Sequence, residues 1–208
     1  MSVKSLSSSS LTNNVFYRSL LAGSDPFIPF TAADDLLEEI TLTTSASSVT
    51  FSGLGAYTDY KHLQIRMITA LTVNGGLASY RMRFNSDSGG NYSQHALNAT
   101  YFPANSGVTS NGQTAQTGIL GNSWGTDYSN HFWPAIWDIQ DFSSTNKNTT
   151  VNVFGGSYGQ DNSGSTPEGM IRLKSGAWYN TAAVTSISLV TSSDAFAIGS
   201  RFSLIGIR

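Results

Sequence analysis

Cysteine is absent from the chain, which removes disulfides, thiolate nucleophiles and cysteine-based metal sites together. That absence chooses no compartment. Charge is scarce as well: 12% of residues are Asp, Glu, Lys or Arg, against about 25% in typical soluble domains. Ser, Thr, Asn and Gly fill the deficit, giving a neutral surface rich in hydrogen-bonding groups. The eleven Lys and Arg form no block, and the formal net charge is -2. Nucleic-acid backbones are held by clustered cations, so no nucleic-acid partner is expected. No apolar run approaches the roughly 18–20 residues that span a bilayer, and no membrane partner is expected. Lys4 and the serine run Ser7 to Ser10 are not followed by the apolar stretch of about 7–15 residues that a secretory signal needs.

What remains divides into two grammars. Residues 1–35 show no sustained periodicity, yet carry Val15, Phe16, Tyr17, Leu20, Leu21, Phe27, Ile28 and Phe30. Asp25-Pro26 and Ile28-Pro29 hold the chain extended, because a residue before proline avoids the helical region. A disordered tail normally lacks such aromatics. A stretch too irregular to fold alone and too apolar to stay solvated needs a surface, on its own domain or on a neighbouring subunit. At about 3.3 Å per residue, 35 residues reach on the order of 110 Å. Phe16, Tyr17, Leu20, Leu21, Phe27, Ile28 and Phe30 are therefore the candidate docking residues of an extended arm.

Residues 36–208 read as strands separated by turns. A body of roughly 170 residues buries about 70% of its unfolded surface, enough for a core. His62 to Met67 alternates strictly, with Leu63, Ile65 and Met67 on one face, and Tyr80 to Phe84 repeats the pattern. Asn74-Gly75-Gly76 between them predicts a reversal. Further strands are expected at Glu38–Thr43, Ser48–Phe51, Thr117–Leu120, His131–Gln140, Thr149–Phe154, Met170–Leu173, Val184–Val190 and Phe196–Ile207, the last with a break at Gly199. Leu36 to Ile40 reads as one helical turn. Four Gly/Asn-rich stretches, Asn85–Asn91, Asn105–Gly112, Gly121–Gly125 and Gly155–Gly164, read as loops. No helical pattern of 10–15 residues (roughly) separates the strands, which predicts an all-β, antiparallel sandwich or barrel.

Chemistry-bearing patterns are weak. Gly121-Asn122-Ser123-Trp124-Gly125 and Gly155-Gly156-Ser157-Tyr158-Gly159 match G-x-S-x-G, but that motif needs a strand turning directly into a helix. Neither match is followed by helical periodicity, and no histidine follows Ser157. His62, His95 and His131 include no local metal-binding pair. Asn85 to Asn91 faintly resembles a calcium loop but lacks the terminal glutamate, and reads as a hairpin tip. Asp138 and Asp141 beside Trp133 and Trp137 suggest a sugar-cleaving pair; the simpler reading sends Asp138 and Gln140 to solvent and Trp137 and Ile139 inward. No catalytic residue, metal or cofactor is assigned. Trp124, between polar residues and glycine, and Tyr128 are the candidate exposed contacts, suited to stacking on a sugar or anchoring an interface.

Several segments resemble small structural proteins of tailed phages, especially of marine and cyanobacterial hosts. They are Tyr60-Lys61-His62-Leu63-Gln64-Ile65-Arg66, Arg81 to Tyr92, Phe202 to Ile207, Tyr17 to Gly23, and Val49-Thr50-Phe51-Ser52. The resemblance touches most of the chain at intervals and consists of strand and turn words, with no catalytic signature. It implies a virion protein made in the host cytoplasm, with a β-sandwich or jelly-roll body, commonly homotrimeric and attached to heads or tails. The leading expectation is a non-enzymatic capsid decoration or cement protein docking on other virion subunits through its arm. A tail-fibre or tail-tip module binding a host glycan through its loops is the second. A glycan-binding or glycan-cleaving sandwich is the third.

Overall fold

A computed structural model describes residues 34–73, 77–101, 107–125, 131–160, 167–192 and 194–208. The arm residues Phe16, Tyr17, Leu20, Leu21, Phe27, Ile28 and Phe30 lie outside that range, as does Tyr128. Among the described residues there are twelve strands: β1 (Asp34–Thr41), β2 (Ser48–Ser52), β3 (His62–Leu71), β4 (Leu77–Phe84), β5 (Tyr92–Tyr101), β6 (Gly107–Gln116), β7 (Ile119–Gly125), β8 (Trp133–Gln140), β9 (Thr149–Gln160), β10 (Pro167–Trp178), β11 (Ser186–Thr191) and β12 (Arg201–Ile207). Among the described residues one 3-10 turn spans Leu54–Ala56.

The pairing follows a rolled ribbon. Strands β1, β2, β3 and β4 pair with β12, β11, β8 and β7 respectively, the early strands matching the late ones in reverse order. Rolling that ribbon interleaves it into two sheets, β1-β12-β3-β8 and β2-β11-β4-β7. This is a jelly roll, an all-β sandwich of two antiparallel sheets packed face to face. Two hairpins are inserted into it. β9 and β10 follow β8, β5 and β6 precede β7, and together they extend the larger sheet in the order β8-β9-β10-β5-β6. A short parallel pairing, Ala70 with Trp124 and Leu71 with Gly125, joins the two sheets.

The expected alternation builds the core. Leu63, Ile65 and Met67 of β3 and Tyr80, Met82 and Phe84 of β4 are buried, as are Trp137 and Ile139 of β8. Aromatic rings fill the space between the sheets: Phe84 lies 5.5 Å from Trp178, and Phe196 meets Phe202 edge-on at 5.1 Å. Gly199 has φ +85°, a left-handed conformation that glycine adopts readily, and it ends the preceding extended stretch before β12 as expected.

Four expectations are corrected. Leu36 to Ile40 is not a helical turn but lies in β1. One isolated turn has too few internal hydrogen bonds to persist, whereas pairing with β12 satisfies the backbone. The strands flanking Asn74-Gly75-Gly76 do not form a hairpin, since β3 and β4 belong to different sheets; the three residues themselves lie outside the described range. Asn85 to Asn91 likewise crosses between sheets instead of capping a hairpin, and Asn85 and Ser86 take positive φ to do so.

The last correction concerns three of the Gly-rich stretches. Much of Asn105–Gly112, all of Gly121–Gly125 and the first half of Gly155–Gly164 are strand, in β6, β7 and β9. Glycine there makes room for rings, not for turns. A Cβ on Gly121 would fall on the Tyr80 ring, and one on Gly155 would sit 2.7 Å from Trp133 Nε1.

Candidate functional site

β10 is inside out. Its core-facing positions hold Met170, Arg172, Lys174 and Trp178, while Ile171 and Leu173 face away from the core at 55% and 53% exposure. The reversal puts two cations on the inner face and adds two apolar side chains to the outer one.

On the outer face, strand register lines up apolar side chains from five strands. Ile136 of β8 pairs with Phe154 of β9, Phe154 with Leu173 of β10, and Leu173 with Leu97 of β5. All four are on the outside, Phe154 at 54% exposure. A second row runs beside it, with Ile68 opposite Pro134, and Ile171 between Gly156 and Ala99. Ile136 and Phe154 of the first row and all of the second line an open groove of about 890 Å³, and Leu173 and Leu97 continue the apolar surface beside it. Arg66, Arg201, Glu39 and Ser203 close one end of it, and Ser203 is 3.0 Å from Glu39 through their side-chain oxygens. The next row along the same face is polar: Gln64 donates to Asp138 at 2.6 Å, and Asn152 and Ser175 follow in register. The apolar surface is therefore a bounded patch. Monomeric soluble proteins rarely leave such contiguous patches open.

On the inner face, Lys174 and Arg172 line a polar cavity of about 240 Å³ with Gln94, Gln113, Asn122 and Ser79. Lys174 Nζ donates to Leu120 O at 2.7 Å and to Asn122 Oδ1 at 2.8 Å. Arg172 Nη1 donates to the same Asn122 oxygen, and its Nε to Met170 Sδ at 2.7 Å. Gln94 accepts from the Leu120 N–H and donates to Gln113, both at 2.7 Å. Burial, then the neighbouring Arg172 charge, push the Lys174 ammonium down to about 7.

Other residues singled out in the sequence take separate places. Trp124 lies in β7 by its backbone, and its side chain is outside the described part. Ser123 is buried, its hydroxyl donating to Thr69 O at 2.6 Å, and Ser157 lies within β9; a strand, not a helix, holds each. His62 Nδ1 accepts the Asp141 N–H at 3.0 Å, whereas His95 is exposed on β5. Asp138 is held by Gln64, and Asp141 by Lys147, so the two carboxylates serve different contacts. Trp137 and Ile139 face inward, as expected. Asp87 organises the Asn85–Asn91 crossing, accepting from Trp178 Nε1 at 2.7 Å, Gly89 N at 2.8 Å and Asn91 Nδ2 at 2.9 Å. The Trp178 bond foremost holds its carboxyl below the usual range. No group of three or more potential ligands among the described residues is placed to hold a metal ion, and no described helix is long and apolar enough to cross a membrane.

Sequence reasoning missed both the groove and the cavity. The available signal was apolar residues at both parities of one strand, as in Met170-Ile171-Arg172-Leu173 and Trp133-Pro134-Ala135-Ile136-Trp137, which marks a sheet covered on two sides. Fold and surface together define a jelly-roll sandwich with an unusually apolar outer face. Comparison with protein-family models, curated proteins and solved structures finds no match to this chain.

Proposed function

We propose that the chain is a non-enzymatic structural protein of a phage particle, a capsid decoration or cement subunit. Its outer groove receives the N-terminal arm of a neighbouring copy. The observation that carries this reading is the in-register apolar patch Ile136–Phe154–Leu173–Leu97, whose first two side chains line the groove and whose last two adjoin it. The arm supplies the complement. Asp25-Pro26-Phe27-Ile28-Pro29-Phe30 is apolar, kept extended by its prolines, and carries an acid to meet the Arg66 and Arg201 end of the groove. Six extended residues span about 20 Å, and the five strands under the groove span about 19 Å at their usual spacing of about 4.8 Å.

The occupant proposed is the arm of a second copy, because an apolar patch left open on a lone chain is rare among monomeric soluble proteins.

Energetics favour several copies acting together. Covering six half-exposed apolar side chains yields on the order of 5–10 kcal/mol, while ordering six backbone residues costs about 1–2 kcal/mol each. One arm in one groove is therefore marginal. A closed ring of copies, each lending an arm to the next, removes that weakness through effective concentration, and three copies agree with the resemblance to phage structural proteins. A ring that binds only the assembled shell stabilises the shell by mass action.

Native mass spectrometry of the full chain tests this. The expected mass is three times the 22.2 kDa chain, falling to one after deletion of residues 1–33 or after Phe154→Lys. Particles lacking the protein should be decorated by the full chain and not by the truncated one. A monomeric full chain, or a trimer and full decoration that survive both changes, overturns the reading.

A further inference from the structure

The inner cavity is a separate matter from arm docking and stands without it. Lys174 is 5% exposed, and Arg172 is two positions along the same strand face. Among the described residues no carboxylate lines the cavity that these two cations share. Like charges held together in a poorly solvated place repel, and an uncompensated buried charge is strongly unfavourable. Sheet cores ordinarily avoid the arrangement with one apolar substitution.

The polar side chains around the cations are turned to leave donors over. Asn122 Oδ1 is already shared by Lys174 and Arg172, and the Gln94 carbonyl oxygen is taken by the Leu120 N–H. An ammonium has three N–H groups and a guanidinium five, and each cation has two bonds to described partners. Asn98, opposite Arg172 in register, adds one side-chain acceptor to the lining, fewer than the four N–H groups left over. Gln113 is exposed, and Leu77 and Ser79 are half-buried, so the cavity opens to solvent between β4 and β6. Its volume of about 240 Å³ is smaller than the roughly 300–1,000 Å³ of sites for drug-sized ligands, and suits one small molecule.

We propose that this cavity binds a small oxyanion, its carboxylate or sulfate group held by Arg172 and Lys174. Gln94, Gln113 and Ser79 are available to hydroxyl groups beside the charge. Two sources share this chemistry: a free inorganic or organic anion, and the acidic unit of a sugar.

Isothermal titration of the full chain with glucuronate, acetate, sulfate and neutral glucose distinguishes them. Saturable binding of glucuronate at one per chain is expected, at least tenfold tighter than glucose. Glucuronate tenfold tighter than acetate and sulfate identifies an acidic sugar as the source; equal affinities identify a free anion. Arg172→Gln and Lys174→Met should each weaken binding at least tenfold. Because either variant could disturb the sheet, the unaltered chain supplies a second reading. Binding near pH 8 should take up a proton, seen as a dependence of heat on the buffer's ionisation enthalpy, and affinity should fall at least tenfold by pH 9.5. Arg172 and the buried, neutral Tyr80 phenol are the ionisable groups beside Lys174 around the cavity and its neighbouring cleft. No saturable anion binding, or binding with neither proton uptake nor sensitivity to both substitutions, overturns the site.

Discussion

At the scale of single residues, Lys174 gives a pH dependence whose sign is fixed. Its pKa is about 7 in the folded chain, against an ordinary 10.5. Between those values the unfolded chain holds more protons than the folded one, so stability rises with pH across that window. Below about pH 7 both states are charged, and the burial penalty is present in full. Chemical denaturation at pH 7 and pH 10 should differ by on the order of a few kcal/mol from this group, and Lys174→Met should flatten the difference. Asp87 acts in the opposite quarter of the scale. Its depressed carboxyl contributes stability above the usual carboxylate range that is lost as pH falls through its folded pKa. Asp87→Ala also leaves Trp178 Nε1 without its acceptor, a loss of about 1–3 kcal/mol, measurable as a lower urea midpoint. Gly155→Ala tests the ring-accommodating glycines. The added methyl meets Trp133 Nε1 and Pro134 O, and overpacking of this kind costs about 1–3 kcal/mol.

Strands show where the sequence was readable and where it was not. Alternation placed Leu63, Ile65 and Met67, and again Tyr80, Met82 and Phe84, because each of those strands has one apolar face and the core takes it. The same rule applied to Ile171 and Leu173 points the wrong way. Here burial is decided by what lies across from β10: the rings packed around Trp178 and the donors around Asn122 take the even positions, and Ile171 and Leu173 are left outside. Glycine was misread for a related reason. Composition cannot separate a glycine that bends the chain, such as Gly199, from one that admits a ring on the neighbouring strand, such as Gly121 against Tyr80. The groove was illegible because its exposed apolar lining, Ile68, Ile136, Phe154 and Ile171, comes from four strands, and cross-strand register alone brings them together. Register also makes a stability prediction. Phe154→Lys removes no core contact, so thermal unfolding of the truncated body should shift by no more than about 0.5 kcal/mol, while association of the full chain is lost.

For the molecule as a whole, the ribbon topology makes the two ends of the body mutually dependent. The last strand, β12, supplies buried Phe202 and Leu204 and is the neighbour of both β1 and β3. Removing it strips Phe196 of its edge-on partner and leaves β1 without its pairing strand. Arg208, which donates to Asp35 at 2.6 Å and lies over the Tyr60 ring at 5.0 Å, is lost with it. Two side chains of that size are worth about 3–6 kcal/mol together by burial alone, a large share of the total of about 5–15 kcal/mol by which a domain is stable. The broken ladders add to the deficit. A chain ending at Gly199 should therefore show no cooperative unfolding transition and no near-ultraviolet circular dichroism, whatever its fate in association. Pairing of the first strand with the last also requires closure of a loop of nearly the whole body before its contacts form. Refolding should accordingly be slow, and an Ile205→Asn change, at the β12 register position opposite Gln64, should lower stability and accelerate unfolding more than it slows folding if β12 docks last. Stopped-flow fluorescence of the four tryptophans measures both arms, and a change confined to the folding arm would place β12 in the nucleus instead.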